Sequence, residues 1–153
     1  MHIIVSAIGK LKKTAPEYKI MAEYLKRMKW SVTLKEYEAQ KGQGGEALKS
    51  AEGSLLLSGI DKTAKVVVLD EHGETLSSRE FAKHIQKWQS TGVDTVAFLI
   101  GGADGHGEQV KARADLTLSF GRMTLPHFLM RVVLTEQIYR AQTILSGHPY
   151  HRD

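Results

Sequence analysis

Short apolar, β-branched runs alternate along this chain with segments whose apolar residues recur at helical spacing. His2 to Ile8 reads as a first strand, ending at Gly9. Thr14-Ala15-Pro16-Glu17 has the T-x-x-E form with proline early in the first turn, a helix start signal. A basic amphipathic helix is predicted from there to about Lys29. Ser31 to Glu38 sets Val32, Leu34 and Tyr37 among polar residues, an imperfect strand. Residues 39–45 form a flexible break too short to separate domains, and Glu46 to Ser58 a helix. Ala64 to Asp70 carries Val66-Val67-Val68-Leu69 and predicts a buried strand. Ser77-Ser78-Arg79-Glu80 is a second capping-box signal, opening a helix through Phe81, Ile85 and Trp88 to about Ser90, with Gly92 as its stop. Asp94 to Ile100 is the next buried strand, followed by the glycine loop from Gly101 to Gly107. A short helix from Glu108 to Ala114 and a short strand from Leu116 to Phe120 come next. A long helix from Leu125 or Pro126 to Leu145 precedes the tail from Gly147 to Asp153. Strands alternating with helices predict a single α/β domain, 1–153, with a mostly parallel sheet flanked by helices.

Composition narrows the chemistry. The 153 residues suit one core. The absence of cysteine excludes a disulfide scaffold, a thiolate nucleophile and a Cys-ligated metal. The longest apolar run, Val96 to Ile100, is far short of the roughly 20 residues a spanning helix needs, so no membrane span is expected. The N-terminal apolar stretch has no charged region before it and no cleavage-type sequence after it; it reads as a strand, and cytoplasm is the expected compartment. A formal charge of +4 is weak by itself. Its distribution says more: Lys10, Lys12, Lys13, Lys19, Lys26, Arg27 and Lys29 face only Glu17 and Glu23 within residues 10–29. The last third uses arginine instead, at 113, 122, 131, 140 and 152, the better bidentate ligand for phosphate and carboxylate.

Four stretches are candidates for chemistry. The glycine loop follows a buried strand, where open α/β sheets bind ligands, yet it is neither G-x-G-x-x-G nor a P-loop; a tight turn explains it equally well. Asp70-Glu71-His72 reads as a solvated turn, because adjacent residues on an extended chain do not converge on a metal. Phe120 to His127 mixes a glycine, backbone donors and a helix start, and can bind adenine and carboxylate groups through main-chain atoms. On the long helix, Glu136 and Arg140 stand at i and i+4. The helix around them is apolar on most of its circumference, so this pair needs partners to be buried. Finally, His148-Pro149-Tyr150-His151-Arg152 combines donors, an aromatic ring and titratable groups.

Together these residues resemble a known family: the small bacterial methyltransferases that modify N3 of a pseudouridine in large-subunit ribosomal RNA, in the SPOUT class of knotted methyltransferases. The resemblance is carried by Gly9-Lys10-Leu11-Lys12, Val68 to Gly73 with Ser77-Ser78, Phe98 to Gly105, Met123-Thr124-Leu125-Pro126-His127, Arg131 to Leu134, Glu136-Gln137, Tyr139-Arg140-Ala141 and His148 to Arg152. It runs nearly end to end and is weakest over residues 39–63. It implies a C-terminal trefoil knot, which ordinary folds essentially lack. It implies S-adenosylmethionine as cofactor, held by Leu69, Gly101, Gly102, Phe120, Gly121, Arg122, Met123, Thr124 and Leu125, with no metal. It implies Glu136, Arg140, Tyr150, His151 and Arg152 as catalytic and positioning residues, with Glu136, Tyr150 and His151 all open as the base. It further implies a homodimer through the long helix, the tail of one protomer completing its partner's site, and the assembled ribosome as substrate. Two other readings stay open at this point: a SPOUT enzyme for another RNA site, and a non-catalytic ribosome- or RNA-binding protein.

Overall fold

The computed structural model describes residues 1–42 and 44–152; Gln43 of the expected break and Asp153 of the tail lie outside the described residues. Strands β1 (His2–Ile8), β2 (Ser31–Tyr37), β3 (Lys65–Thr75), β4 (Thr95–Ile100) and β5 (Leu116–Ser119) form one parallel sheet in the order β2-β1-β4-β3-β5. Helices α1 (Pro16–Arg27), α2 (Gly45–Leu57), α3 (Ser78–Ser90), α4 (Glu108–Arg113) and α5 (His127–Leu145) connect and cover it. The expected α/β domain is the observed one.

Two-residue periodicity sorts the core. Ile3, Val5, Val67, Phe98 and Leu118 face one side, where Phe81 and Ile85 of α3 and Leu134 and Ile138 of α5 meet them. Ile4, Val66, Val68 and Leu99 face the other, against Leu56 of α2 and Val110 of α4. On the first side α5 packs against both α1 and α3. With both faces covered, the central strands are continuously apolar, which is why they were legible as buried runs.

Local signals performed unequally. The Ser77 box forms: its side chain accepts from the Glu80 N–H at 3.2 Å, and the Glu80 carboxylate accepts from the Ser77 N–H at 2.7 Å. The Thr14 signal starts a helix at the expected place without the cap; Ala15 is the N-cap, no side chain bonds there, and Pro16 alone sets the first turn. The larger correction concerns β3. It continues past Asp70 to Thr75, and its pairing with β5 shifts so that Leu118 faces both Leu69 and Glu74. Residues 70–73 therefore bulge from the ladder. Gly73 permits this: a Cβ there would lie 2.7 Å from the Thr117 backbone.

Helix α5 carries the other departure. It buries Arg131, Thr135, Gln142 and Thr143 while leaving Phe128 and Leu129 38% and 41% exposed. The Arg131 guanidinium, 1% exposed, donates to the carbonyls of Ile8 (2.8 Å) and Gly9 (2.6 Å) and pairs with Glu36. The Gln142 side-chain oxygen accepts from the N–H groups of Lys29 and Trp30 at 2.8 and 2.9 Å. Both polar groups satisfy backbone atoms at strand and helix ends, which offsets much of the cost of their burial, although Arg131 Nε has no partner among the described residues.

Candidate active site

A cavity of about 510 Å3 opens at the C-terminal ends of β3, β4 and β5, the usual ligand position in an open parallel sheet. Three segments wall it. Leu69 to His72 come from the ladder end of β3 and its bulge, Ile100 to His106 from the end of β4 and the glycine loop, and Leu118 to Leu125, apart from Arg122, from the end of β5 and the loop after it. Thus Leu69, Gly101, Gly102, Phe120, Gly121, Met123, Thr124 and Leu125 share one cavity, whereas Arg122 is exposed outside the lining. The expected solvated turn at Asp70-Glu71-His72 contributes to the wall; Glu71 and His72 are exposed, as expected, but Asp70 is half-buried. Burial would raise the Asp70 carboxyl, yet the His72 backbone N–H (2.9 Å) and ring hold it below the usual carboxylate range. Among the described residues no cluster of His, Asp and Glu has metal-site geometry.

The glycine loop is clamped from two sides. Below Gly102 lies Glu52 of α2, 3% exposed, with one carboxylate oxygen lacking a partner among the described residues. A Cβ on Gly102 would come within 2.6 Å of that oxygen, so the loop needs glycine for close approach. Burial pushes the Glu52 carboxyl up, against the Gln40 backbone N–H, with Asp104 adding to the rise. Above Gly101 the ring of His106 folds back, Nε2 lying 3.1 Å from the Leu69 carbonyl. Because a carbonyl only accepts, the proton is on Nε2. Burial holds the imidazole below its ordinary pKa, in the neutral form.

The expected catalytic residues gather elsewhere. The Tyr150 hydroxyl donates to Glu136 Oε1 at 2.9 Å. The same oxygen accepts from Arg140 Nε at 3.0 Å and Nη2 at 2.6 Å, and Glu136 Oε2 accepts from Gln137 at 2.7 Å. Arg140 lies 4.9 Å from the Tyr150 ring centre, and its Nη1 donates to His151 Nδ1 at 3.2 Å. Tyr139 meets Tyr150 edge-on at 4.8 Å. Tyr24 of α1 hydrogen-bonds Tyr150, and burial together with the Tyr24 and Glu136 contacts raises the phenol pKa. The bond to Glu136 raises the Arg140 guanidinium as well. Tyr150 and His151 of the tail are thus tied to α5, Arg152 is exposed, and none of this cluster lines the cavity.

Chemically, the cavity offers backbone donors, apolar walls and carboxylates, and the cluster offers donors around an anchored carboxylate. Reading residues singly missed Glu52, His106 and Tyr24 as site-shaping groups. Their roles depend on contacts across 37 to over 100 positions, for which sequence spacing carries no signal.

The chain is similar to known proteins along nearly its whole length. The family profile described as "Predicted SPOUT methyltransferase" matches residues 1–151. The chain is 49% identical over 152 residues to the Ribosomal RNA large subunit methyltransferase H of Paramagnetospirillum magneticum, covering 99% of each chain. It is 48% identical to the protein of that name in Rhodospirillum centenum, again covering 99% of each, and 47% identical to that of Paracoccus denitrificans, covering all of both. An α/β domain with its cavity at the strand ends, matched from end to end at this identity, belongs to the SPOUT methyltransferase family.

Proposed function

We propose that this chain transfers a methyl group from S-adenosylmethionine to N3 of a pseudouridine in large-subunit ribosomal RNA, on the assembled ribosome in the bacterial cytoplasm. The observation that carries the reading is the end-to-end match to relatives named for large-subunit rRNA methylation, with a cofactor-sized cavity at the strand ends. The C-terminal knot expected of the class belongs to the same proposal.

The cavity fits the cofactor. About 510 Å3 suits a ligand of nucleoside size, and the close packing at Gly101 and Gly102 leaves room for backbone rather than side chains. Leu69, the two glycines and the backbone of 120–125 would hold it, and Asp70, kept ionised, favours its positive charge. When bound, S-adenosylmethionine supplies a methyl group already activated by the sulfonium. The protein must hold N3 in line with that methyl and help the N3 proton leave, so positioning dominates and base help adds about 10²–10⁴-fold.

Glu136 accepts from four donor groups, so its role is to anchor Tyr150 and Arg140 rather than to take the proton. Tyr150, its phenol kept protonated, donates that O–H to Glu136 and so fixes the tail in place. Arg140 and the exposed Arg152 hold phosphate or base oxygens. His151, whose Nδ1 accepts from Arg140 Nη1, stands beside that guanidinium as the remaining base candidate. The exposed Phe128, Leu129 and Met123 support a homodimer through the start of α5, which would bring one protomer's tail to its partner's cavity.

The test is to incubate the protein with labelled S-adenosylmethionine and ribosomes from a strain lacking the endogenous enzyme, then map the label. Label at N3 of a large-subunit pseudouridine is expected. Label on another RNA position would assign a different substrate. Cofactor binding without transfer to any RNA would leave a non-catalytic binder.

A further inference from the structure

We propose that His106 is a positioning residue for the cofactor cavity: its neutral imidazole, protonated on Nε2, ties the Leu69 carbonyl to the glycine loop and so sets the spacing between two walls. This rests on the cofactor reading above and extends it to a residue outside the expected site.

The β3–β4 ladder ends at the pair Leu69↔Ile100. Beyond it the two chains separate, β3 into its bulge and β4 into the glycine loop. The His106 ring spans that gap. Nε2 lies 3.1 Å from the Leu69 carbonyl, and the ring covers Gly101 so closely that a Cβ there would sit 3.0 Å from Cε1. One side chain, 5% exposed, therefore touches both walls at the two residues nearest the sheet.

The other nitrogen makes the arrangement depend on protonation. Nδ1 is out of solvent and has no hydrogen-bond partner among the described residues. A proton there would place a charge and an N–H where no acceptor waits. It would also put an imidazolium beside a cavity proposed to take a cationic cofactor. Of the nearby charges, Asp70 on β3 favours the protonated ring and Lys111 on α4 disfavours it. Lys49 on α2, Glu71 and His72 on β3, Asp104 in the loop and His127 on α5 line the same cavity, so a control must separate their titration from that of His106.

His106→Gln is that control, because its amide N–H can reach the Leu69 carbonyl and does not titrate. His106→Leu fills similar volume without the donor. Cofactor affinity is measured by calorimetry between pH 7.5 and 5.5 on wild type and both variants, each first shown to be folded by circular dichroism. We expect His106→Gln to bind within about threefold of wild type at pH 7.5 and His106→Leu about tenfold more weakly, the equivalent of one lost buried hydrogen bond. Acidification should weaken wild-type binding more than that of His106→Gln. Leu binding as tightly as wild type, Gln binding no better than Leu, or identical pH responses of wild type and Gln would each overturn the proposal. Failure of the wild type to bind the cofactor at pH 7.5 would instead overturn the methyl-transfer reading on which it rests.

Discussion

At Glu136, Arg140 and Tyr150 share one carboxylate oxygen while Gln137 occupies the other. That leaves His151, held at Nδ1 by Arg140 Nη1, as the member to test for the base role. Replacing His151 with alanine should lower methyl transfer by about 10²-fold or more, with cofactor affinity nearly unchanged. Single-turnover transfer and calorimetric titration measure the two separately, and equal losses in both would remove His151 from the chemistry. Arg131 makes a contrasting case. It is buried and pairs with Glu36, whose carboxylate also accepts from the Leu11 N–H at 3.2 Å. Glu36→Ala should cost about 3 kcal/mol in urea unfolding, because it leaves an uncompensated buried charge. A loss under about 1 kcal/mol would mean that the Ile8 and Gly9 carbonyls suffice.

Among the elements, α5 does the most. Its inner face closes the core through Leu134 and Ile138, and its buried polar side chains cap β1 and the α1–β2 turn. The first turn projects Phe128 and Leu129 outward, and the cluster on Glu136 and Arg140 fastens the tail. Apolar residues all round the helix are therefore divided between a core and an exposed end. If that end joins two protomers, Leu129→Glu should shift sedimentation from dimer to monomer and abolish transfer, while each monomer still binds cofactor. An unchanged dimer would place the interface elsewhere. The bulge in β3 works at the same scale, since four residues leaving the ladder turn a strand end into a cavity wall.

For the whole molecule, the basic surface is the separate question. Lys10, Lys12, Lys13, Lys19, Lys26, Arg27 and Lys29 are all exposed, Lys10 only loosely paired with Glu38 at 3.3 Å. Replacing Lys12, Lys13 and Lys26 together should flatten the salt dependence of ribosome binding by about 2 in the log–log slope if they meet phosphates. An unchanged slope would assign them to solubility. Much of this architecture was legible in advance. Continuous β-branched runs marked the central strands, and the capping box at Ser77 and the glycine loop marked element ends, because periodicity and end chemistry act over a few residues. The extension of β3 was not legible, since a bulge exists only against a partner strand. Nor was the missing Thr14 cap, where proline had already set the turn. The residues of the cavity and of the tail cluster were implied by the family resemblance, which does not say that one group shares a cavity while the other is fastened to α5. Local patterning determined which segments are strands and helices and where the glycine loop falls between them. Only tertiary packing decided that Glu52 and His106 clamp the glycine loop, that Arg131 is buried and that Tyr24 meets Tyr150, because those contacts join residues far apart in the chain and exist only once the sheet and α5 have closed on one another.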